Sequence, residues 1–309
     1  MRKDETSVGR ASPPADRRVL LKGVGLSVVS ALCFGTVAPL AKIAYDRHAD
    51  YLPLLGARFA GAALLLMTYH RIRGRSLAIG RSQVIRLMLL GGIAYGFESS
   101  LFFKALELAP AGIVSLVFFS YPLITAFLTF TLGLEPFRAG TFVALLIGVV
   151  GVIAIFDAGS ADLAGPLLAL AAAAAVAVYF VVATIFMYGI EPSVGATWTA
   201  LGAAVTTSAA GFLGGQSLPQ SAWTTAVALG AVTTVAFTAL YGAMRLIGSS
   251  RTAVAQMLEP VVTVAIATLF LGERLTTRIA LGAALIISAL PILATTGHDR
   301  DVPAPPDSL

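Results

Sequence analysis

Residues 118–135 read FFSYPLITAFLTFTLGLE, and residues 256–273 read QMLEPVVTVAIATLFLGE. A shift of 138 residues aligns the two stretches without a gap. The residues that match are Pro122 with Pro260, Thr125 with Thr263, and Glu135 with Glu273. Proline and glutamate at equivalent positions of two apolar stretches indicate an internal duplication, so we predict a chain of two equivalent halves.

The apolar character of these stretches extends over most of the chain. Of the 309 residues, 57% are hydrophobic and 12% are charged, whereas soluble domains contain about 25% charged residues. Runs of about 20 apolar residues, enough to cross a hydrocarbon layer of about 30 Å, recur between short polar breaks. We predict an all-α integral membrane protein with ten transmembrane helices, at residues 22–44, 53–70, 84–107, 111–133, 137–156, 163–188, 195–215, 222–246, 251–272 and 277–296.

Each half contributes five spans, and this odd number gives the two halves opposite orientations in the membrane. Two inverted five-helix repeats around a central cavity are typical of secondary transporters. Lysine and arginine remain preferentially in the cytoplasm. The loop at 71–86 contains five arginines, whereas its counterpart at 216–222 has no charge. Cytoplasmic termini place most of the 21 cations inside, so we predict a multi-pass protein of the cell (inner or plasma) membrane with that topology.

The predicted organisation has two repeats flanked by polar tails. The N-terminal tail contains charges of both signs and lacks the apolar core of a signal peptide. Prolines inside the spans, at positions 39, 122, 166, 260 and 291, are expected to kink them. The predicted segments are a cytoplasmic tail at 1–21, a first repeat at 22–156, a linker at 157–162, a second repeat at 163–296 and a cytoplasmic tail at 297–309.

Two motifs mark the second half, LEPVV at residues 258–262 and LFLGERL at 269–275. The first half has weaker counterparts, YP at 121–122 and LE at 134–135, where the order Gly-Leu-Glu-Pro departs from Leu-Gly-Glu-Arg. The pattern resembles the paired repeats of EamA-like transporters of the drug/metabolite transporter (DMT) superfamily. The resemblance extends from about residue 22 to 296. It implies two five-helix bundles, cytoplasmic termini, and export or exchange of small metabolites, without naming a substrate.

A carboxylate inside a span suggests a function or a dedicated partner, because charged groups in hydrocarbon cost roughly 2.5–3.5 kcal/mol each. Glu259 follows Arg251 by eight residues, about 12 Å along the helix and near the membrane midplane. Gln256 and Thr263 share its helix at helical spacing, which predicts a polar stripe. We interpret this stripe as a cavity wall where Glu259 binds a substrate amine or takes up a proton. The alternative is that Glu259 caps backbone groups freed by Pro260 or pairs with another helix.

Glu98 is the second acidic residue inside a span, about 18 Å along the third span from Arg86. It lies between aromatic and hydroxyl side chains, in YGFESS at residues 95–100. One hypothesis gives it substrate or proton chemistry, and the other a buried ion pair with Arg58. Arg58 itself has two alternative roles, because its long side chain either contacts substrate or extends to the outer interface.

The repeat also predicts an aromatic wall. Tyr121 is equivalent to Glu259, and Phe118 is equivalent to Gln256. An aromatic wall that faces an acidic wall suits an amphipathic organic solute. Further aromatic candidates for this wall are Phe34, Phe97, Tyr179, Phe237 and Tyr241.

We therefore predict a secondary transporter that exports a small organic metabolite, an amino acid or related amphipathic solute, by alternating access. Its partners are that solute and the lipid bilayer, with protons as a candidate coupling ion, and the residues favour no particular oligomeric state. Two alternatives remain: an intramembrane enzyme that uses Glu98 and Glu259 as an acid pair, and a non-transporting membrane receptor or assembly factor.

Several chemistries lack their sequence signatures. The chain has no Gly-Lys-Ser/Thr phosphate loop, no histidines paired at metal spacing and no basic face with aromatic residues beside it. Its three histidines, His48, His70 and His298, are expected in loops or tails. We therefore predict that the protein is not an enzyme and binds no metal, cofactor or nucleic acid.

Overall fold

The computed structural model describes residues 17–131, 163–187, 189–256 and 258–296, with scattered positions between 140 and 154. Within these residues the regular structure is helical, without strands. The linker at 157–162, most of the predicted fifth span and most of both tails lie outside the described residues.

The helices follow the predicted spans with several interruptions. In the first half they are α1 (Arg17–Gly35), α2 (Val37–Tyr45), α3 (Tyr51–Ile72), α4 (Arg81–Leu89), α5 (Gly96–Leu108), α6 (Ala111–Phe118) and α7 (Tyr121–Thr131). In the second half they are α8 (Ala164–Phe186), α9 (Pro192–Leu213), α10 (Trp223–Gln256), α11 (Leu258–Phe270) and α12 (Thr277–Thr296). A π-helical segment, Leu90–Tyr95, joins α4 to α5, and a 3₁₀ turn, Gln220–Ala222, precedes α10.

Among the described residues, four helical segments are long and apolar enough to cross a membrane, and three further apolar segments are shorter. The long ones are Leu21–Tyr45, Tyr51–Ile72, Arg81–Leu108 and Gln220–Ala243. The shorter ones are Ala111–Thr125, Ala164–Tyr179 and Leu258–Phe270. The chain is therefore a multi-pass helical membrane protein.

Prolines account for the breaks within the spans. The break between α1 and α2 falls at Thr36, three residues before Pro39, and α6 gives way to α7 just before Pro122. A proline has no N–H, and its ring collides with the carbonyl four residues earlier. In the second half Pro260 lies in α11, at the position equivalent to Pro122 in α7, and Met257 before it lies outside the described residues. The two halves therefore place a proline at equivalent positions of equivalent helices.

The expected kink at Pro166 was wrong. Pro166 lies in the first turn of α8, where its backbone nitrogen would have no intrahelical acceptor in any case. A proline in that turn starts a helix without disturbing it.

Helical backbone continues from Trp223 to Gln256, although the sequence predicts a break at 248–250. The chain nevertheless reverses within this segment. Ser30 Oγ donates to the carbonyl of Ala236 at 3.0 Å and accepts from Gln256 Nε2 at 3.2 Å. In a straight helix these two partners would be separated by about 30 Å. The predicted eighth and ninth spans therefore both return to the same serine of α1.

Equivalent helices of the two halves pack antiparallel. At one end of the α3–α9 pair, Ser193 Oγ lies 2.8 Å from His70 Nε2. At the other end, Leu52 N–H donates to Gln216 Oε1 at 3.2 Å. The start of α6 likewise contacts the chain just beyond the end of α11. An inverted repeat requires this antiparallel pairing.

The remaining contacts between the halves occur in equivalent pairs that the repeat relates to each other. α1 packs along α10, and α5 packs against α8. The 138-residue shift converts the first pair into the second. Small residues permit close approaches: Gly61 meets Gly230, and Gly91, one residue before the equivalent of Gly230, meets the backbone of Thr199, the equivalent of Gly61. The helices of the two halves are therefore intercalated, and the core lies between them.

Candidate functional site

Three ionisable side chains from three helices lie near one another inside the helix assembly. Arg58 is on α3, Glu98 is in the first turn of α5, and Glu259 is in the first turn of α11. Arg58 and Glu98 are each 4% exposed, and Glu259 is half-buried. Their charges lie within electrostatic reach of one another. The fold thus brings together three residues that are 40 or more positions apart in the chain.

A local change in helix geometry precedes Glu98. The π-helical segment Leu90–Tyr95 ends three residues before it, and π-helical turns occur preferentially at functional sites. Glu259 lies directly before Pro260 in α11. The irregular backbone of the third span therefore lies next to an acidic residue of the cluster.

The hypothesis that Glu98 and Arg58 form a buried ion pair was wrong. Across the described residues, the one ion pair joins Lys104 to Glu107 at the end of α5. Glu98 instead accepts a hydrogen bond from Ser99 Oγ at 3.0 Å. With both carboxylates ionised, Glu98, Glu259 and Arg58 sum to one negative charge in a low-dielectric core. A cationic ligand group or a proton would neutralise that charge.

Arg58 does not extend to the interface, which rules out that alternative. Its Nε–H donates to Thr233 Oγ1 on α10 at 2.8 Å. Its Cζ lies 5.0 Å from the ring centroid of Phe59 and 5.4 Å from that of Phe103. The guanidinium therefore lies near two aromatic rings and is held there by the hydrogen bond that it donates to Thr233 of the opposite half.

Aromatic rings surround this cluster, with Tyr95 at their centre. Its ring centroid lies 5.5 Å from that of Phe59, 5.1 Å from that of Tyr179 and 5.5 Å from that of Phe237. Tyr179 and Tyr241 approach each other with their hydroxyl oxygens 3.4 Å apart. These spacings are those of favourable aromatic pairs.

The predicted aromatic wall of the fourth span lies beside the same cluster. The Phe118 ring lies 5.6 Å from that of Tyr121 and 4.8 Å from that of Phe102. Tyr121 is within electrostatic reach of both Glu259 and Glu98. Aromatic and acidic groups therefore face the same part of the core.

Several aromatic assignments need adjustment. Phe34 and Phe237 belong to the cluster, with ring centroids 5.7 Å apart. Phe97 does not, because it is 60% exposed on the outside of the assembly. Sequence reasoning missed Tyr95 and Thr233. The sequence could have indicated Tyr95, because it precedes Glu98 by three residues and shares its helix face. No sequence feature indicated Thr233.

Gln256 and Thr263 contact α1. Gln256 Nε2 donates to Ser30 Oγ at 3.2 Å, and Thr263 Oγ1 donates to the carbonyl of Gly35 at 2.9 Å. Seven residues separate the two, so they share one helix face, whereas Glu259 is rotated away from it by about 60°. The predicted polar stripe is thus divided between helix packing and the central cluster.

Glu273 of the second-half motif links the two halves. Its Oε1 accepts from Ala111 N–H at 2.6 Å, and its Oε2 accepts from Gly112 N–H at 2.9 Å. These are orphan donors at the start of α6, so the carboxylate acts as a helix cap from the other repeat. Gly272, with φ of +68°, reverses the chain after α11 and directs Glu273 toward α6.

His70 was wrongly expected in a loop. It is 1% exposed in the last turn of α3. Its Nε2 lies 2.8 Å from Ser193 Oγ, which in turn donates to Glu191 Oε2 at 2.6 Å. His70 therefore fastens α3 to the start of α9 at the end opposite Glu273.

Two helical repeats that pack antiparallel around a polar cluster are typical of secondary transporters. The sequence profile of the EamA-like transporter family matches residues 21–157 and again residues 163–295. The chain belongs to this family. A solved structure titled "Crystal structure of protein" shares 20% identity, with a TM-score of 0.66, over 89% of this chain and 97% of that one. That match supports the fold alone. No curated protein matches the chain.

Proposed function

We propose that the protein is a secondary transporter that exports a small organic metabolite by alternating access between its two halves. The observation that supports this proposal is the cluster of Arg58 and Glu98, which are buried, with Glu259, which is half-buried. Both repeats contribute to it, and these three residues form no ion pair with one another. Buried charges that are not paired are costly, and inside a membrane span they mark substrate or ion pathways.

The chemistry of the site favours an amphipathic solute, an amino acid or a related metabolite. Glu98 and Glu259 offer carboxylates to an ammonium group, and Tyr95, Tyr121 and Phe118 offer aromatic surface to an apolar part. Aromatic faces also attract cations. The excess negative charge of the cluster with both carboxylates ionised also suits a proton, which makes the proton a candidate coupling ion.

The membrane arrangement that accompanies this function has ten spans in the cell membrane, with both termini in the cytoplasm. Alternating access needs a site that each half can expose in turn. Arg58 and Glu98 belong to the first half, whereas Glu259 and Thr233 belong to the second. A relative movement of the halves would therefore open the site toward one side of the membrane at a time.

Reconstituted protein provides the direct test. Liposomes preloaded with unlabelled amino acids should exchange them for labelled amino acids from outside. Glu98→Gln and Glu259→Gln should each slow exchange about tenfold or more, because the ammonium loses a charge-assisted partner. Glu107→Gln is the matched control, since this half-buried residue forms the Lys104 ion pair at the end of α5.

Two outcomes would contradict the proposal. One is exchange in both glutamine variants at the rate of the Glu107→Gln control. The other is failure of the folded wild-type protein to exchange any member of an amino acid panel. An imposed pH gradient tests the coupling ion separately, because exchange for protons predicts accumulation of substrate against its own gradient.

A further inference from the structure

Arg58 retains most of its hydrogen-bonding capacity in this structure. A guanidinium carries five N–H donors, and Nε–H is the one used, toward Thr233 Oγ1 at 2.8 Å. Within the described residues, Arg58 has no other hydrogen-bond acceptor and no carboxylate partner. A side chain that is 4% exposed has few water partners to replace them, so its terminal nitrogens are available to a ligand.

Three neighbours restrict the orientation of the guanidinium. Thr233 Oγ1 accepts from its Nε–H, and the ring centroids of Phe59 and Phe103 lie 5.0 and 5.4 Å from its Cζ. The edge that remains is formed by the two terminal nitrogens. That edge matches the two oxygens of a carboxylate in parallel hydrogen bonds, a geometry that lysine does not provide.

We infer that Arg58 is a subsite for the carboxylate of the transported solute, and that Thr233 is the positioning residue that holds it in place. This inference rests on the proposed function and specifies its substrate class. A monoanionic carboxylate suits the site better than a phosphate, because Glu98 and Glu259 already exceed Arg58 in charge. The substrate then carries an ammonium for the glutamates, a carboxylate for Arg58 and an apolar part for the aromatic rings.

Thr233 belongs to the second half and positions Arg58, which belongs to the first. Thr233 is fully buried on α10, and its neighbour Thr234 donates instead to the carbonyl of Gly230 in its own helix. The two threonines therefore form a matched pair, because one contacts Arg58 and the other contacts only its own backbone. Valine has nearly the shape of threonine without the acceptor, whereas serine keeps the hydroxyl.

The test uses two pairs of probes in the exchange assay: phenylalanine with phenethylamine, and leucine with isoamylamine. Each amine is the decarboxylated form of its amino acid. Thr233→Val should raise the half-saturating concentration of the amino acids about tenfold with little change in maximal rate, and should leave any amine exchange unaltered. Thr233→Ser should restore the wild-type value, and Thr234→Val should not differ from wild type.

Arg58→Gln provides a second measurement if Thr233→Val fails to fold. It should abolish the preference of the protein for each amino acid over its amine. Wild-type protein that exchanges each amine with the same efficiency as its amino acid would overturn the carboxylate subsite while leaving the proposed transport intact. So would an equal effect of Thr233→Val on both members of a pair. Wild-type protein that exchanges none of the four probes would overturn the subsite, and a wider amino acid panel then tests the proposed function separately.

Discussion

Removal of the Glu273 carboxylate should loosen the contact between the halves at the end of the molecule where α6 begins. In the structure its two oxygens bind the N–H groups of Ala111 and Gly112 at 2.6 and 2.9 Å. No intrahelical acceptor exists for these donors. Glu273→Ala would therefore leave the start of α6 without a cap and would remove a polar link between α6 and α11.

The size of the effect follows from the two hydrogen bonds. Loss of a helix cap costs about 0.5–2 kcal/mol, and a hydrogen bond to a charged group contributes about 1.5–3 kcal/mol. Glu273 is half-buried, so water would replace part of this contribution, and we expect a net cost of about 2 kcal/mol. Because the contact joins the two halves, this cost falls on the state in which they are closed at this end. The equilibrium between closed and open states should then shift about 30-fold toward the open one.

Cysteine labelling measures that shift. Cys33 is the only cysteine of the chain, so Cys33→Ser provides a background without reactive thiols. Ile113 lines the cleft of about 260 Å³ beside Glu273, and Ile113→Cys introduces a probe beneath the contact. A membrane-impermeant maleimide should modify this probe about tenfold or more faster when Glu273→Ala is present. Glu273→Gln, which keeps one acceptor oxygen, should give a smaller increase.

The control is again Glu107→Gln, because an i,i+3 ion pair near the surface contributes little. A labelling rate that is the same in the Glu273→Ala protein and in the control would refute the reasoning. A lower melting temperature without faster labelling would also refute it, since the carboxylate would then be a local helix cap that does not control opening.

Three further predictions concern packing and topology. Gly202→Ala should lower the melting temperature by several degrees, because an added Cβ would lie 2.8 Å from backbone atoms of the third span. Gly25→Ala, in open space on α1, should not lower it. His70→Ala should also lower the melting temperature, by removing a buried side chain and its hydrogen bond to α9, at a cost of about 2 kcal/mol; an unchanged melting temperature would contradict its fastening role. Reporter fusions after residues 78 and 218 should show opposite sides of the membrane, because the two loops that contain these residues lie at opposite ends of α9. The same side for both would contradict the inverted repeat.

The sequence was most informative about the scaffold. Long apolar runs require lipid as solvent, and this requirement acts on each helix separately, so the membrane class could be predicted without knowledge of packing. The matched Pro122 and Pro260 predicted the repeat, and the helix break just before Pro122 agrees with the kink expected there. The family profile, which matches each half separately, agrees with that duplication.

The sequence was less informative about the site. Glu98, Glu259 and Arg58 could be identified one by one, because a charge in an apolar span is conspicuous. Their mutual arrangement depends on contacts between helices far apart in the chain. Arg58 therefore binds Thr233, an inconspicuous residue on the opposite half, and not Glu98 as one of the two hypotheses held.

The repeated stretches at 118–135 and 256–273 show the same division. Hydrophobicity and proline spacing are local properties, so the sequence by itself determined that these stretches are equivalent proline-containing helices in lipid. It did not determine their neighbours. Antiparallel packing turned Gln256 and Thr263 toward α1, left Tyr121 and Glu259 beside the central cluster, and carried Glu273 to the start of α6. Helix rotation and pairing arise from side-chain fit across the whole assembly, and only the tertiary structure decided them.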